Sequence, residues 1–331
     1  MTTTTTTENQ AHWRRVYLAR LHHERAALLW QLADLAPADM AEPVFADWSA
    51  LELLPHIGAW DSLYAERMRL VMAGQAEAIQ PVDLEQRNAD WRATWQSYDL
   101  PQAVARMQAD RDDFLAALAQ VPNEELHRKR QFPWSSESDD LATWCRWRWR
   151  HDRAHRLDLA RWRERSLGER TRPAVGHPAI LAAIAQVGRA EFAALVNLFS
   201  ESERISRPVD GQWMLKDVVG HLTDWEQFGV DGLAQGQSPD WPYPSIQAWN
   251  EAHAEVRQAQ PWEQVWADFS ASRQALSQQL AGLTLEQLAA PFTSPFDPNS
   301  TYYSWSIIWL EHEHEHAQAL WAVLQLTEAD S

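Results

Sequence analysis

The sequence predicts an all-α protein built as two tandem four-helix bundles. Three observations carry that prediction. Apolar residues recur at helical spacing with no convincing strand between them. The whole pattern runs twice at a nearly constant offset. Each copy ends in a helix bearing a His-x3-His pair, His151/His155 and then His312/His316. The chain's 331 residues give room for two domains of about 150 residues each.

In the first half, Val16, Leu18, Leu21, Leu28, Leu29, Leu32 and Leu35 place a helix over Trp13 to Leu35. The threonine-rich start before it is expected to be disordered, and Pro37 and Pro43 mark the loop after it. A second helix is predicted over Ala50 to Met72. Ser49 suits its N-cap and Glu52 completes a capping box, because each side chain can satisfy a backbone N–H the helix leaves unpaired. Pro55 lies inside this helix and is expected to kink it just before His56, since proline removes one backbone bond. A third helical region covers roughly Leu84 to Leu118 with an interruption near Pro101. Loops around Pro122 and over Phe132 to Ser138 lead to a fourth helix, Asp140 to Arg165. Gly168, Pro173, Gly176 and Pro178 then break regular structure. The expected domains are therefore 1–168 and 177–331, with a linker over 169–176.

The second half restarts the plan with helical periodicity over Ile180 to Phe199 and a loop around Pro208. The segment Gln212 to Glu226 answers the segment Asp47 to Asp61. In each, a Trp (Trp48, Trp213) precedes a His (His56, His221) by eight residues. A second Trp (Trp60, Trp225) follows four residues after the His and an acid (Asp61, Glu226) five after it. Asn88 and Asn250, Arg111 and Arg273, and Leu126 and Leu288 stand 162 apart, and Trp144 and Trp305 stand 161 apart. Offsets of 165, 162 and 161 are what an old tandem duplication leaves behind.

Composition excludes several classes of partner. A net charge of −17 opposes attraction to nucleic acid or to an anionic membrane surface. No stretch approaches the ~20 apolar residues of a membrane span. Cys145, the one cysteine, rules out an intrachain disulfide and a cysteine-based zinc cluster, and is read as a buried spectator. Met1 to Gln10 lacks a charged-then-apolar signal, so the expected compartment is the cytoplasm. Twenty Trp imply sizeable cores or apolar clefts, and a small molecule is the expected partner.

Residues four apart on a helix share a face, so each His-x3-His pair can reach one ion. With the His of the second helix, each half supplies a triad: His56, His151 and His155, then His221, His312 and His316. Three neutral imidazoles suit zinc, nickel or iron and leave a position open for water or substrate. A ligand histidine commonly gives its other ring N–H to a carboxylate, and Asp61 and Glu226 are the candidates. Asn88 and Asn250 could hydrogen-bond a ligand near the metal or serve a turn. Trp60 and Trp225 are read as core. His314 falls on another face and is left out. The arginines of the fourth helix, among them Arg146, Arg148, Arg156 and Arg161, are expected to pair with acids, an anion pocket being the alternative.

At these residues the chain resembles the DinB-like superfamily, and among its branches the ClbS/DfsB group. The Trp-x7-His-x3-Trp-acid pattern at Trp48 to Asp61 and Trp213 to Glu226, with the two His-x3-His pairs, carries the resemblance over nearly the whole chain. It implies four-helix bundles with three-histidine metal sites holding nickel, zinc or iron. It also implies activities such as S-transfer or isomerisation with mycothiol, bacillithiol or glutathione, or hydrolysis of a reactive cyclopropane by a self-resistance protein. Bundles of this kind often dimerise, so the two copies are expected to form an internal pseudo-dimer within a monomer. Pro55 departs from the small residue, Gly220, found at the matching place. The expected function is a divalent-metal-dependent enzyme acting on a small electrophile by thiol S-transfer or hydrolysis, with a low-molecular-weight thiol as a further cofactor. The alternative is a non-catalytic module that sequesters a small molecule, its metal sites structural or vestigial.

Overall fold

A computed structural model describes residues 2–132, 138–168 and 175–326, with side chains from residue 9 onward. The chain divides into two compact units, Met1–Leu32 with Pro37–Arg172 and Ala33–Ala36 with Pro173–Ser331. Most of the expected linker, residues 169–174, lies outside the described residues.

In the first unit the long helices are α1 (Thr2–Trp30), α2 (Ala50–Met72), α3 (Leu84–Trp95), α4 (Leu100–Ala119) and α5 (Leu141–Trp162). α2 packs against α4 and α5, and α1 packs along α5. Between them lies a core that includes Tyr17, Leu21, Met68, Phe114, Leu126 and Trp144. α1 starts well before the expected Trp13, at Thr2, because adding a turn to a formed helix costs little once nucleation is done. It also ends early. Gln31 and Leu32 donate to Leu28 and Leu29 three residues back, which tightens the last turn ahead of Pro37.

The capping box of α2 is formed. Ser49 Oγ accepts from Glu52 N at 3.3 Å and Glu52 Oε2 accepts from Ser49 N at 2.9 Å. The helix runs on through Pro55. The interruption expected near Pro101 is present at residues 96–99, and Pro101 itself opens the next helix: Asp99 caps α4 and Pro101 sits in its first turn, where a missing N–H has no partner to lose.

The expectation of no strand needs correcting. Among the described residues three antiparallel strand pairs are present: β1 (Pro43–Phe45) with β2 (Trp48–Ser49), β3 (Arg130–Gln131) with β4 (Ser138–Asp139), and β5 (Pro208–Asp210) with β6 (Trp213–Met214). Strands of two or three residues are too short to show a period of two. The first and third are repeats of one another. Each turns through one left-handed residue, Ala46 (φ 49°) or Gly211 (φ 56°), and delivers the chain into the helix that carries the first histidine of the triad.

The second unit contains α6 (Pro178–Val196), α7 (Leu215–Gln235), α8 (Ile246–Gln258), α9 (Trp262–Gly282) and α10 (Tyr302–Leu324). α6 packs on α9 and α10, and α7 on the same two helices. One helix, α6, is apolar and long enough to cross a membrane by those criteria alone, contrary to expectation. More than half of its most apolar stretch, 56%, is buried, as befits a core helix. Close approach in this unit rests on α7: a Cβ on Gly229 would lie 2.4 Å from Trp309 Nε1.

Candidate metal centres

Each triad converges. His56 reaches in from α2, and His151 and His155 from one face of α5. His151 Nε2 lies 3.2 Å from His56 Nε2 and 3.1 Å from His155 Nε2. In the second unit His221 comes from α7, His312 and His316 from α10, and His221 Nε2 lies 2.9 Å from His312 Nε2. Within each triad one donor atom per residue lies within 4.8 Å of the others. Three nitrogens around a tetrahedral zinc ion, at its usual bond length, stand about 3.3 Å apart. The clusters therefore fit a divalent ion.

The electrostatics favour the same use. Burial, then His155 and Arg148, hold His56 down at about 3; burial and the paired histidines hold His221 at about 3. Burial and His316 bring His312 to about 4, and burial with Arg148 lowers His151 well below its ordinary value. The imidazoles are thus neutral at pH 7, as metal ligation requires. Nδ1 of His56 and of His151 has no hydrogen-bond partner among the described residues. The hairpins close the sites from the side. Trp48 meets His56 at 5.0 Å between ring centroids, and Trp213 meets His221 at 4.8 Å.

Asp61 and Glu226 do not stand behind the histidines as expected. A residue five positions on points about 140° away around the helix. Both instead join buried ion clusters. Arg25 and Arg111 bind Asp61 at 2.8 and 2.9 Å and Asp152 at 3.1 and 2.7 Å. In the second unit Arg189 and Arg273 bind Glu226 at 2.9 and 2.6 Å and Glu313 at 2.6 and 3.0 Å. All four positions repeat at offsets of 161 to 165, each on a different main helix. The carboxylates nearest the ligands are others: Asp158, 3.4 Å from His155 Nδ1, and Asp210, 4.0 Å from His316 Nδ1. Asp158 could have been found by its spacing, three residues after His155. Asp210 could not, since the hairpin alone brings it there.

Asn250 Oδ1 accepts from Trp225 Nε1 at 3.0 Å, and both residues line a cavity of about 390 Å³ with His221 and His312. Trp225 is therefore core and cavity wall at once. Asn88 Oδ1 is buried with no hydrogen-bond partner among the described residues. Trp60, read as core, meets His56 and His151 edge-on at 6.5 and 6.3 Å. Arg146, Arg156 and Arg161 pair with Asp140, Glu24 and Asp158, as expected. Arg148 does not. Cys145 is fully buried, and burial pushes its thiol up to about 12, which leaves it inert.

Fold and geometry together define a duplicated all-α protein with a candidate three-histidine metal centre in each half. A model of the DinB superfamily matches residues 6–159 and again 185–320, and the chain belongs to that superfamily. No curated protein and no solved structure matches it.

Proposed function

We propose that the chain is a divalent-metal-dependent enzyme acting on a small electrophile, by thiol S-transfer or by hydrolysis, in a detoxification role like that of the ClbS/DfsB branch. The observation that supports this best is the convergence of three neutral imidazoles in each half. A bound zinc, nickel or iron ion would supply Lewis-acid chemistry, lowering the pKa of a coordinated water or low-molecular-weight thiol. The chain's own residues hold the imidazoles neutral by burial, and in the second half Trp225, Phe296 and Trp309 provide an apolar wall for a substrate. That same aromatic lining favours a second reading, a module that binds and sequesters a small apolar compound.

Metal content of untagged protein, measured by mass spectrometry, is the first test. About two equivalents per chain are expected, falling to about one on replacing His151 and His155 by Ala. No retained metal after reconstitution with zinc, nickel and iron would sink the metal-dependent reading. Turnover of an electrophile in the presence of a thiol, lost in His155→Ala and His316→Ala, separates enzyme from binding module.

A further inference from the structure

We infer that the two centres have diverged to accept ligands of opposite charge, an anionic group at the first and a cationic one at the second. The inference rests on the histidine clusters being ligand sites, and it adds the charge of what each one takes. α5 and α10 align at an offset of 161, which superposes His151 on His312 and His155 on His316. Around these shared ligands positive charge is lost and negative charge gained. Arg148 becomes Trp309, Arg150 becomes Glu311 and Ala154 becomes Glu315.

Arg148 stands one turn before His151 on the same helix face and is only 5% exposed. Its Nε and Nη1 have no hydrogen-bond partner among the described residues. The guanidinium lies 4.6 Å from the Tyr64 ring centre and 5.7 Å from that of Trp60, the indole whose edges meet His56 and His151. Nearby, Arg25 and Arg111 are ion-paired with Asp61 and Asp152, which attract Arg148 without touching it, so three arginines share two carboxylates and Arg148 is the one left without an ion-pair contact among the described residues. A buried cation without a counterion is costly, and a guanidinium is shaped to take a planar anion such as a carboxylate. An anionic ligand at the first centre supplies what the chain omits.

At the second centre the buried set is balanced: two arginines face Glu226 and Glu313, and Trp309 replaces the extra cation. Glu311 and Glu315 both line the cavity beside His312, and no Lys or Arg joins them among its described lining residues. Carboxylates that share one cavity with the aromatic rings of Trp225 and Phe296 form a setting for an organic cation.

The test uses fluorine NMR on metal-free full-length protein with two probes of one size, para-fluorobenzoate and para-fluorobenzylammonium. Both should bind and neither should displace the other. Arg148→Met should weaken the benzoate about tenfold while leaving the ammonium probe unchanged. Glu311→Gln with Glu315→Gln, on the exposed rim where folding is not at stake, should do the reverse. Arg148→Lys should keep part of the benzoate affinity. Mutual displacement of the probes overturns the inference, as does absence of saturable binding or one substitution weakening both. Because no metal is present, failure to load metal leaves this result readable, and failure here leaves metal loading untouched.

Discussion

Removing one arginine from a buried ion cluster should be far more damaging than removing one from the surface. Arg111 is 4% exposed and reaches both Asp61 and Asp152, each 1% or less exposed. Arg111→Ala would leave Arg25 as the arginine still in ion-pair contact with the two carboxylates and would open a buried gap, and we expect a loss of about 3–5 kcal/mol in denaturant unfolding. Arg69→Ala, which breaks a half-exposed pair with Asp113, should cost less than about 1 kcal/mol. Equal losses from the two would mean that the buried cluster contributes no more than solvated charges do. At this scale the sequence showed part of each cluster. Arg111/Arg273 and Asp61/Glu226 are visible as matched positions, but nothing local says that Asp61 faces Arg25 rather than His56. Arg25 and Asp61 are 36 residues apart, and only the packing of α1 against the rest of the bundle decides their pairing.

At the scale of elements, the start of α2 was the most legible feature. Ser49→Ala removes the hydroxyl that caps Glu52 N and should lower unfolding stability by about 1 kcal/mol. A smaller change would show that Glu52, held by Arg92 at 2.7 Å, fixes the helix start by itself. In the repeat, Met214 stands where Ser49 does and only half of the box survives, with Asp217 accepting from Met214 N at 2.9 Å. Proline was harder to read. Pro55 and Pro101 look alike as helix breakers, yet Pro101 sits in a first turn and Pro55 lies within a helix that continues. The matching Gly220 is not simply an easier residue, for a Cβ there would lie 3.1 Å from Arg257 Cγ. Each position answers to its own neighbours across the bundle.

At the scale of the whole molecule, the histidine clusters set a pH dependence. Burial holds His56 and His221 at about 3 and His312 at about 4, below the ordinary 6.5 they regain when unfolded. Between those values the unfolded chain binds protons that the folded chain refuses. Metal-free protein should therefore keep its full melting temperature above pH 6.5 and lose stability as pH falls toward 4. His221→Ala should flatten that slope, as melting curves at a series of pH values would show. An unchanged slope would mean that this imidazole is not held neutral by the fold. The carboxylate contribution appears lower on the scale. Burial opposes it, but Arg111 and Arg25 keep Asp61 below its ordinary 3.8, so its stabilisation is lost only under more acid conditions.

The sequence by itself determined the helical class, the duplication and the matched histidine triad of each half. These are periodic or repeated signals, and a period of 3.6 or an offset of 161 to 165 survives without knowledge of any long-range contact. It also determined which histidines belong together, because two of each triad share one helix face. Only the tertiary structure decided which carboxylates serve the ligands and which serve the core, since a side chain's direction around its helix selects its partner. The short hairpins that bring Trp48, Trp213 and Asp210 to the sites were likewise beyond the sequence, because two-residue strands carry no period. The isolation of Arg148 is also a tertiary fact, because whether a guanidinium finds a hydrogen-bond partner among the described residues is settled only once its neighbours have been placed.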